Sequence, residues 1–415
     1  MKSKLTNYLI VRALYICLVL AGASVFVAAQ SFGDSPNRIK DFGSSLKQTD
    51  KKKKAKTKVP QQNNFTVTTT EDEVIRVDTI LVANEILVFD KRGNPVKGLK
   101  KEDFVVAEDN EPQEISTFLS GDSELIPRSI VLIIDYSSSQ LPYIETSVEA
   151  AKGLVDKLNS NDRMAIVTDK VELLQDFTAD KNLLKEKLES LKISALSGQV
   201  GPSKQYSALL ATLNEMFDDK AFRPIIIFQT DGDELPQLKG EGANFPLGDE
   251  PIKFSYKDIL TATDKTRATI YTVIPGICFN GISGKEKLLR AKTYLVNAER
   301  ASAKARNITF TPDKLKVPEQ FLKSQAERLG WQQTAIAEMA RFTGGSTNYL
   351  EQPEQAENIY AEILSGMNLR YVIGYYPTNR ERDGKTRKVL TEVRGHPEYK
   401  ILGRKTYILP EGEKH

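Results

Sequence analysis

Oxygen-bearing side chains gather at two places in this sequence, with a third segment between them. Asp135, Ser137 and Ser139 follow the apolar run 129–134, and Asp231 and Asp233 follow a second apolar run, 224–229. Between them the segment 198–207 carries Gly201, Ser203 and Ser207 just ahead of a helical pattern. Carboxylates and hydroxyls with no imidazole or thiolate among them suit a hard cation, Mg²⁺ before Mn²⁺ or Ca²⁺. Other chemistries are short of parts. The chain has two histidines, of which His415 is its last residue and His396 lies in a Gly-His-Pro turn. They give no basis for a Ser-His-Asp triad or a His-based zinc site. Of the two cysteines, Cys17 falls in the N-terminal apolar run, which leaves Cys278 alone and no internal disulfide.

For these groups to meet, the elements carrying them must end side by side. The runs 129–134 and 224–229 show no polar alternation, the pattern of strands buried on both faces. Further strands are expected at 164–168 and 269–273, and helices at 141–158, 181–191, 207–217, 256–266, 332–342 and 354–364. Alternating strands and helices predict an α/β fold with a doubly wound parallel sheet, whose ligands bind outside the carboxyl ends of the strands. Asp135 and Asp231 stand at two such ends.

The sequence resembles a von Willebrand factor type A (VWA) domain. That family's metal-ion-dependent adhesion site uses Asp-x-Ser-x-Ser, a Thr in a second loop and Asp-Gly in a third. The first is present as Asp135-Tyr136-Ser137-Ser138-Ser139 and the third as Asp231-Gly232. The second departs, reading Pro202-Ser203-Lys204-Gln205-Tyr206-Ser207-Ala208-Leu209 for Gly-Thr-Ala-Leu-Tyr-Asp-Ala-Leu, so that Ser203 stands for the Thr and keeps a hydroxyl. The motifs 90–96, 99–104 and 371–377 are similar to those of an exported, acidobacterial-type VWA-related family.

The resemblance implies a metal site of Asp135, Ser137, Ser139, Ser203 and Asp231, with Asp233 as a group behind it. Neutral hydroxyls would hold the cation directly, and Asp135 and Asp231 would act largely through water. A dication so held keeps its charge and attracts an outside carboxylate. The implied function is binding of a protein ligand in adhesion, scaffolding or envelope assembly. Two alternatives are a metal-dependent hydrolase or phosphotransferase using Asp135, and a metal-free scaffold with a degenerate site. No general base is marked out, so no enzyme is expected. Glu234 reads as a rim charge, Asp169 as an exposed loop residue, and Trp331 as packing at the head of a helix.

Residues 1–29 read as a secretory signal: Lys2, Lys4 and Arg12, then an apolar run ending Val27-Ala28-Ala29. The expected location is periplasmic or extracellular, with no transmembrane domain in the mature chain. Residues 30–62, with Lys51-Lys52-Lys53-Lys54, read as a flexible basic linker able to touch an anionic envelope surface. Beyond residue 62 the 46 basic residues meet 52 acidic ones, which argues against nucleic-acid binding. The expected domains are a β-rich segment 63–127, the VWA domain 128–368 with insertions near 235–251 and 278–330, and a C-terminal β segment 369–415. The loop 379–385, with Asp383-Gly384, is expected to be a hairpin turn. Each flank is too thin for a core of its own, so the two should pair in one β-sandwich around the inserted VWA domain.

Overall fold

A computed structural model of the chain describes residues 36–50, 81–120, 127–196, 203–219, 221–241, 252–305, 307–312 and 315–408. The expected signal, the strand expected at 74–77, residues 51–62 of the linker and the loop residues 198–202 and 242–251 lie outside the described residues. The helix α1 (Pro36–Asp41) is followed by the strands β1 (Val82–Phe89), β2 (Phe104–Glu108), β3 (Glu111–Gln113) and β4 (Ile115–Leu119). A central region then runs β5 (Arg128–Ile134), α2 (Ile144–Asp156), β6 (Arg163–Thr168), β7 (Glu172–Thr178), α3 (Lys181–Leu196), α4 (Gln205–Glu215) and β8 (Arg223–Gln229). It continues through α5 (Tyr256–Thr266), β9 (Thr269–Pro275), α6 (Gly284–Ala305), α7 (Glu319–Thr343), β10 (Thr347–Leu350) and α8 (Ala356–Asn368). The strands β11 (Tyr371–Tyr375), β12 (Thr386–Val393), β13 (Lys400–Leu402) and β14 (Thr406–Ile408) follow.

The central sheet has the order β10-β9-β8-β5-β6-β7, parallel throughout except for β7, which pairs antiparallel with β6 at the edge. Side chains alternate across a strand, and β5 uses both faces. Ile130, Leu132 and Ile134 pack with α2, α3 and α8, whereas Val131 and Ile133 pack with α4, α5 and α7. The doubly wound sheet read from the apolar runs is present, with helices on both faces.

The flanks form two four-stranded sheets, β13-β1-β11-β4 and β14-β12-β2-β3, each mixing strands from before and after the central region. Phe104, Ile115, Tyr371, Ile373 and Val389 share one core, with Phe118 against it. This sandwich lies at the amino ends of the central strands. At the start of β8, Arg223 pairs with Glu85 of β1 at 2.6 Å, and Arg267, just before β9, donates to the Ala83 carbonyl at 3.0 Å. The strand ends bearing Asp135 and Asp231 are therefore at the opposite pole.

Three expectations need correction. Residues 36–50 are not a free tether. Phe42 and Leu46 pack on the core beneath α4, and the Glu215 carboxylate accepts the Gly43 and Ser45 N–H groups at 2.9 and 2.8 Å. Two apolar side chains and a paired backbone suffice to dock a segment that looks polar by composition. The loop 379–385 is no hairpin, because β11 and β12 belong to different sheets and the loop crosses between them. Trp331 lies within α7 and is 38% exposed, so it is not core packing.

Candidate metal centre

β5 and β8 are neighbours in register, Ile134 beside Gln229, so the loops leaving them begin side by side. Asp135 extends the ladder by one bond, its N–H donating to the Gln229 carbonyl at 3.1 Å. The chain then turns, because the Asp135 carboxylate accepts the Ser137 N–H at 3.0 Å and a single 3₁₀ turn spans Ser138–Gln140. The turn brings the Ser137 and Ser139 hydroxyls to 3.1 Å from each other. Ser139 donates to Asp231 at 2.7 Å, closing the first loop on the third. Next to Asp231, Gly232 has φ 76°, and a Cβ there would lie 2.7 Å from Ile336 Cδ1 on α7. Glycine is required there both by the backbone and by the helix above it.

The Ser203 hydroxyl donates to Asp169 at 3.1 Å and approaches Asp135 at 3.5 Å. The second loop thus reaches the same cluster through a carboxylate that sequence reading placed elsewhere. Asp169 is not an exposed loop residue: it is 1% exposed, and it also accepts the Tyr136 N–H at 3.3 Å. It ends β6, next to β5, as Asp135 ends β5 and Asp231 follows β8, and that strand-end logic was the signal that could have found it. Glu234 is likewise no rim charge. It is buried and holds the start of α4, accepting the Ser207 N–H at 2.9 Å and its hydroxyl at 2.5 Å.

Motif reading also passed over two amides. Gln140 donates to Asp231 at 2.9 Å. Gln205, the first residue of α4 and fully buried, points its amide nitrogen at Asp135 (2.8 Å), Asp233 (2.6 Å) and Asp231 (3.4 Å). The three loops of the motif converge at one pole of a doubly wound sheet. This is the arrangement that the resemblance to a VWA domain implies.

No family model and no curated protein matches the chain. Solved structures similar to it include BatB from Bacteroides thetaiotaomicron, 13% identical over 58% of this chain and 98% of that one, with a TM-score of 0.32. Another is the vWF domain of the type V pili tip protein Mfa5 from Porphyromonas gingivalis, 15% identical over 50% and 97%, with a TM-score of 0.29. A third is proximal thread matrix protein 1 from the mussel byssus, with a zinc-occupied MIDAS motif, 14% identical over 50% and 48%, with a TM-score of 0.27. At such scores the VWA-like description rests on the strand order and the loops.

Burial is the first cause of every titration shift in the cluster. It raises Asp135 well above the carboxylate range, with further upward pushes from Asp231, Asp169 and Asp233. It also raises Asp231, against the hydrogen bonds from Ser139, Asp233 N–H and Gln140. Asp233 rises to about 7 by burial and then the Asp231 charge, and Glu234 to about 7 and Asp169 to about 6, chiefly by burial. Arg328 on α7 lowers both Asp231 and Asp233 by its charge, as Lys170 lowers Asp169. Tyr294 on α6 feels Asp231 in turn, so the 278–330 insertion stands over this pole. In the other insertion, Leu235 and Leu238 are buried in the core with α4 and α5.

Among the described residues no three His, Cys, Asp or Glu side chains form a ready metal cage. The donor set fits a cation differently. Two hydroxyls and one carboxylate form a chain of hydrogen bonds, Ser137 to Ser139 to Asp231, beside carboxylates that accept from the Gln205 amide. Arg328 and Lys170 offset part of the cluster's charge, but its carboxylates outnumber them.

Proposed function

We propose that this is an exported protein whose VWA-like domain binds a protein partner through a divalent cation, Mg²⁺ foremost, held by Ser137, Ser139 and Asp231. The observation that carries the reading is the joined chain of oxygens from Ser137 to Ser139 to Asp231, at the strand ends farthest from the sandwich. The cation would offer an open position to a carboxylate of the partner. Ser137 and Ser139 contribute oxygens without charge, Asp135 fixes the turn that aims them, and Asp231 supplies the negative charge. Asp135 takes its hydrogen bonds from Ser137 N–H, Gln205 and Ser203 rather than from a lysine, which favours a structural carboxylate over the nucleophile of a phosphotransferase. Exposed residues of α6 and α7, beside Arg328, are the surface a partner would meet.

The reading is tested by thermal melts of the mature chain in Mg²⁺ and in EDTA. A cation that binds only the folded state at 100 times its dissociation constant adds about 2.7 kcal/mol. That gain should vanish in Ser139→Ala. A pull-down from cell-envelope extract should lose its captured partner in EDTA. Coincident melts with and without Mg²⁺ would overturn the reading.

A further inference from the structure

We propose that Gln205 sets the cation affinity of this site, its side-chain amide standing in for positive charge among Asp135, Asp231 and Asp233. The inference rests on the metal-site reading above. The amide nitrogen lies 2.8 Å from Asp135 Oδ2, 2.6 Å from Asp233 Oδ1 and 3.4 Å from Asp231 Oδ1. It has two protons for three carboxylates, so it satisfies two of them well and the third poorly. Among the described residues no other side chain is hydrogen-bonded to all three. The opposite end of the amide is also held: Oε1 accepts the Glu234 N–H at 3.3 Å, and the Glu234 carboxylate clamps Ser207 one turn into α4. The side chain is fully buried. It cannot leave these acceptors without giving up hydrogen bonds to buried carboxylates.

In the VWA motif quoted above, the position of Gln205 is leucine, which has no polar atom to offer a carboxylate. A cation at such a site meets carboxylates free to receive it. Here the same carboxylates already hold a donor, and a cation must compete with it. The amide lowers the negative potential of the cluster without adding charge, so the metal-free fold gains what metal binding loses. Gln205 is thus an affinity-setting residue. It would reject weakly attracting cations and let the site load only where divalent cation is plentiful.

The test is calorimetric titration of MgCl₂ and MnCl₂ into the mature chain and into Gln205→Leu, Gln205→Ala and Gln205→Asn, with thermal melts of each in EDTA. The asparagine variant keeps an amide but withdraws it by one methylene, which guards against a leucine or alanine variant that fails to fold. Loss of a hydrogen bond between a neutral donor and a charged acceptor predicts binding about tenfold tighter, or more, in the variants. Their melting temperatures in EDTA should fall below that of the natural chain and recover with metal. Variants that bind metal where the natural chain does not would support the role of Gln205 and overturn metal loading of the natural chain. Equal dissociation constants in all four proteins would overturn the role of Gln205 and leave the metal site standing. Weaker binding in the variants would overturn it too, by making Gln205 a supporting group. No heat and no thermal shift in any of the four at millimolar metal would overturn both.

Discussion

Asp135, Asp169, Asp231 and Asp233 meet within hydrogen-bond reach of one another's partners, and burial holds each above the ordinary carboxylate range. A raised folded-state value means that the folded chain binds protons which the unfolded chain has released. Their contribution to stability is full below about pH 4 and is lost as pH rises through the folded values, near 6 for Asp169 and 7 for Asp233. In EDTA the chain should therefore weaken as pH rises from 5 to 8. Asp233→Asn keeps Oδ1 as an acceptor for Gln205 and removes one charge. We expect it to stabilise the chain by about 1 kcal/mol at pH 8, after allowing for partial exposure, and to change little at pH 5. Denaturant titrations in EDTA at the two pH values check this, and equal effects at both would contradict the assignment. Asp135 and Asp231 were legible because they follow unbroken apolar runs. Asp169 follows the expected strand 164–168 in the same way, but it lies outside the quoted motif and so was read as an exposed loop residue.

At the scale of elements, the third loop is held down by α7. Ile336 Cδ1 occupies the space that a side chain on Gly232 would need. The helix was legible only from 332 onward. Its first turns, from Glu319, carry many charged and polar residues, and they gain their order by packing Ala326 and Leu329 against Phe279 and Ala291. The edge strand β7 escaped reading for a related reason. It lies at the sheet margin, and its turn from β6 places Val171 at φ 60°, a conformation unusual for a β-branched residue. Gly232→Ala should cost about 1–2 kcal/mol from the left-handed backbone alone, and more from the clash. Ile336→Ala should cost about 2–5 kcal/mol as a cavity in the core. The double variant should cost less than the sum, since the smaller side chain leaves room for the new methyl. Strict additivity in denaturant unfolding would show that α7 and the loop are not coupled in this way.

Across the whole molecule, the two poles respond to pH with opposite sign. At the sandwich junction Glu85 is half-buried, which pushes its carboxyl up, but the charges of Arg223, Arg370 and Arg404 outweigh this and leave it below the usual range. A lowered value gives stability that is present above the unfolded value and lost as pH falls through the folded one. Arg370 ties the same junction, donating to Tyr271 at 2.7 Å, to the Glu85 carbonyl at 3.3 Å and to the Gly344 carbonyl. Acid therefore loosens the junction, and alkali loosens the carboxylate cluster at the opposite pole. The stability of the chain in EDTA should peak at mildly acidic pH, between about 4 and 6, rather than at neutrality. On the proposed function saturating Mg²⁺ would pair the carboxylates of the far pole, so the peak should move toward neutral pH while the acid limb stays where it is. Glu85→Gln breaks the acid limb alone: it should cost about 1–3 kcal/mol at pH 7 by leaving Arg223 with a weaker partner, and flatten the loss below pH 4. Chemical denaturation across pH 3 to 9, in EDTA and in Mg²⁺, reads both limbs in one experiment. A single profile unaffected by Mg²⁺ would show that the carboxylates at the strand ends are not where a cation acts.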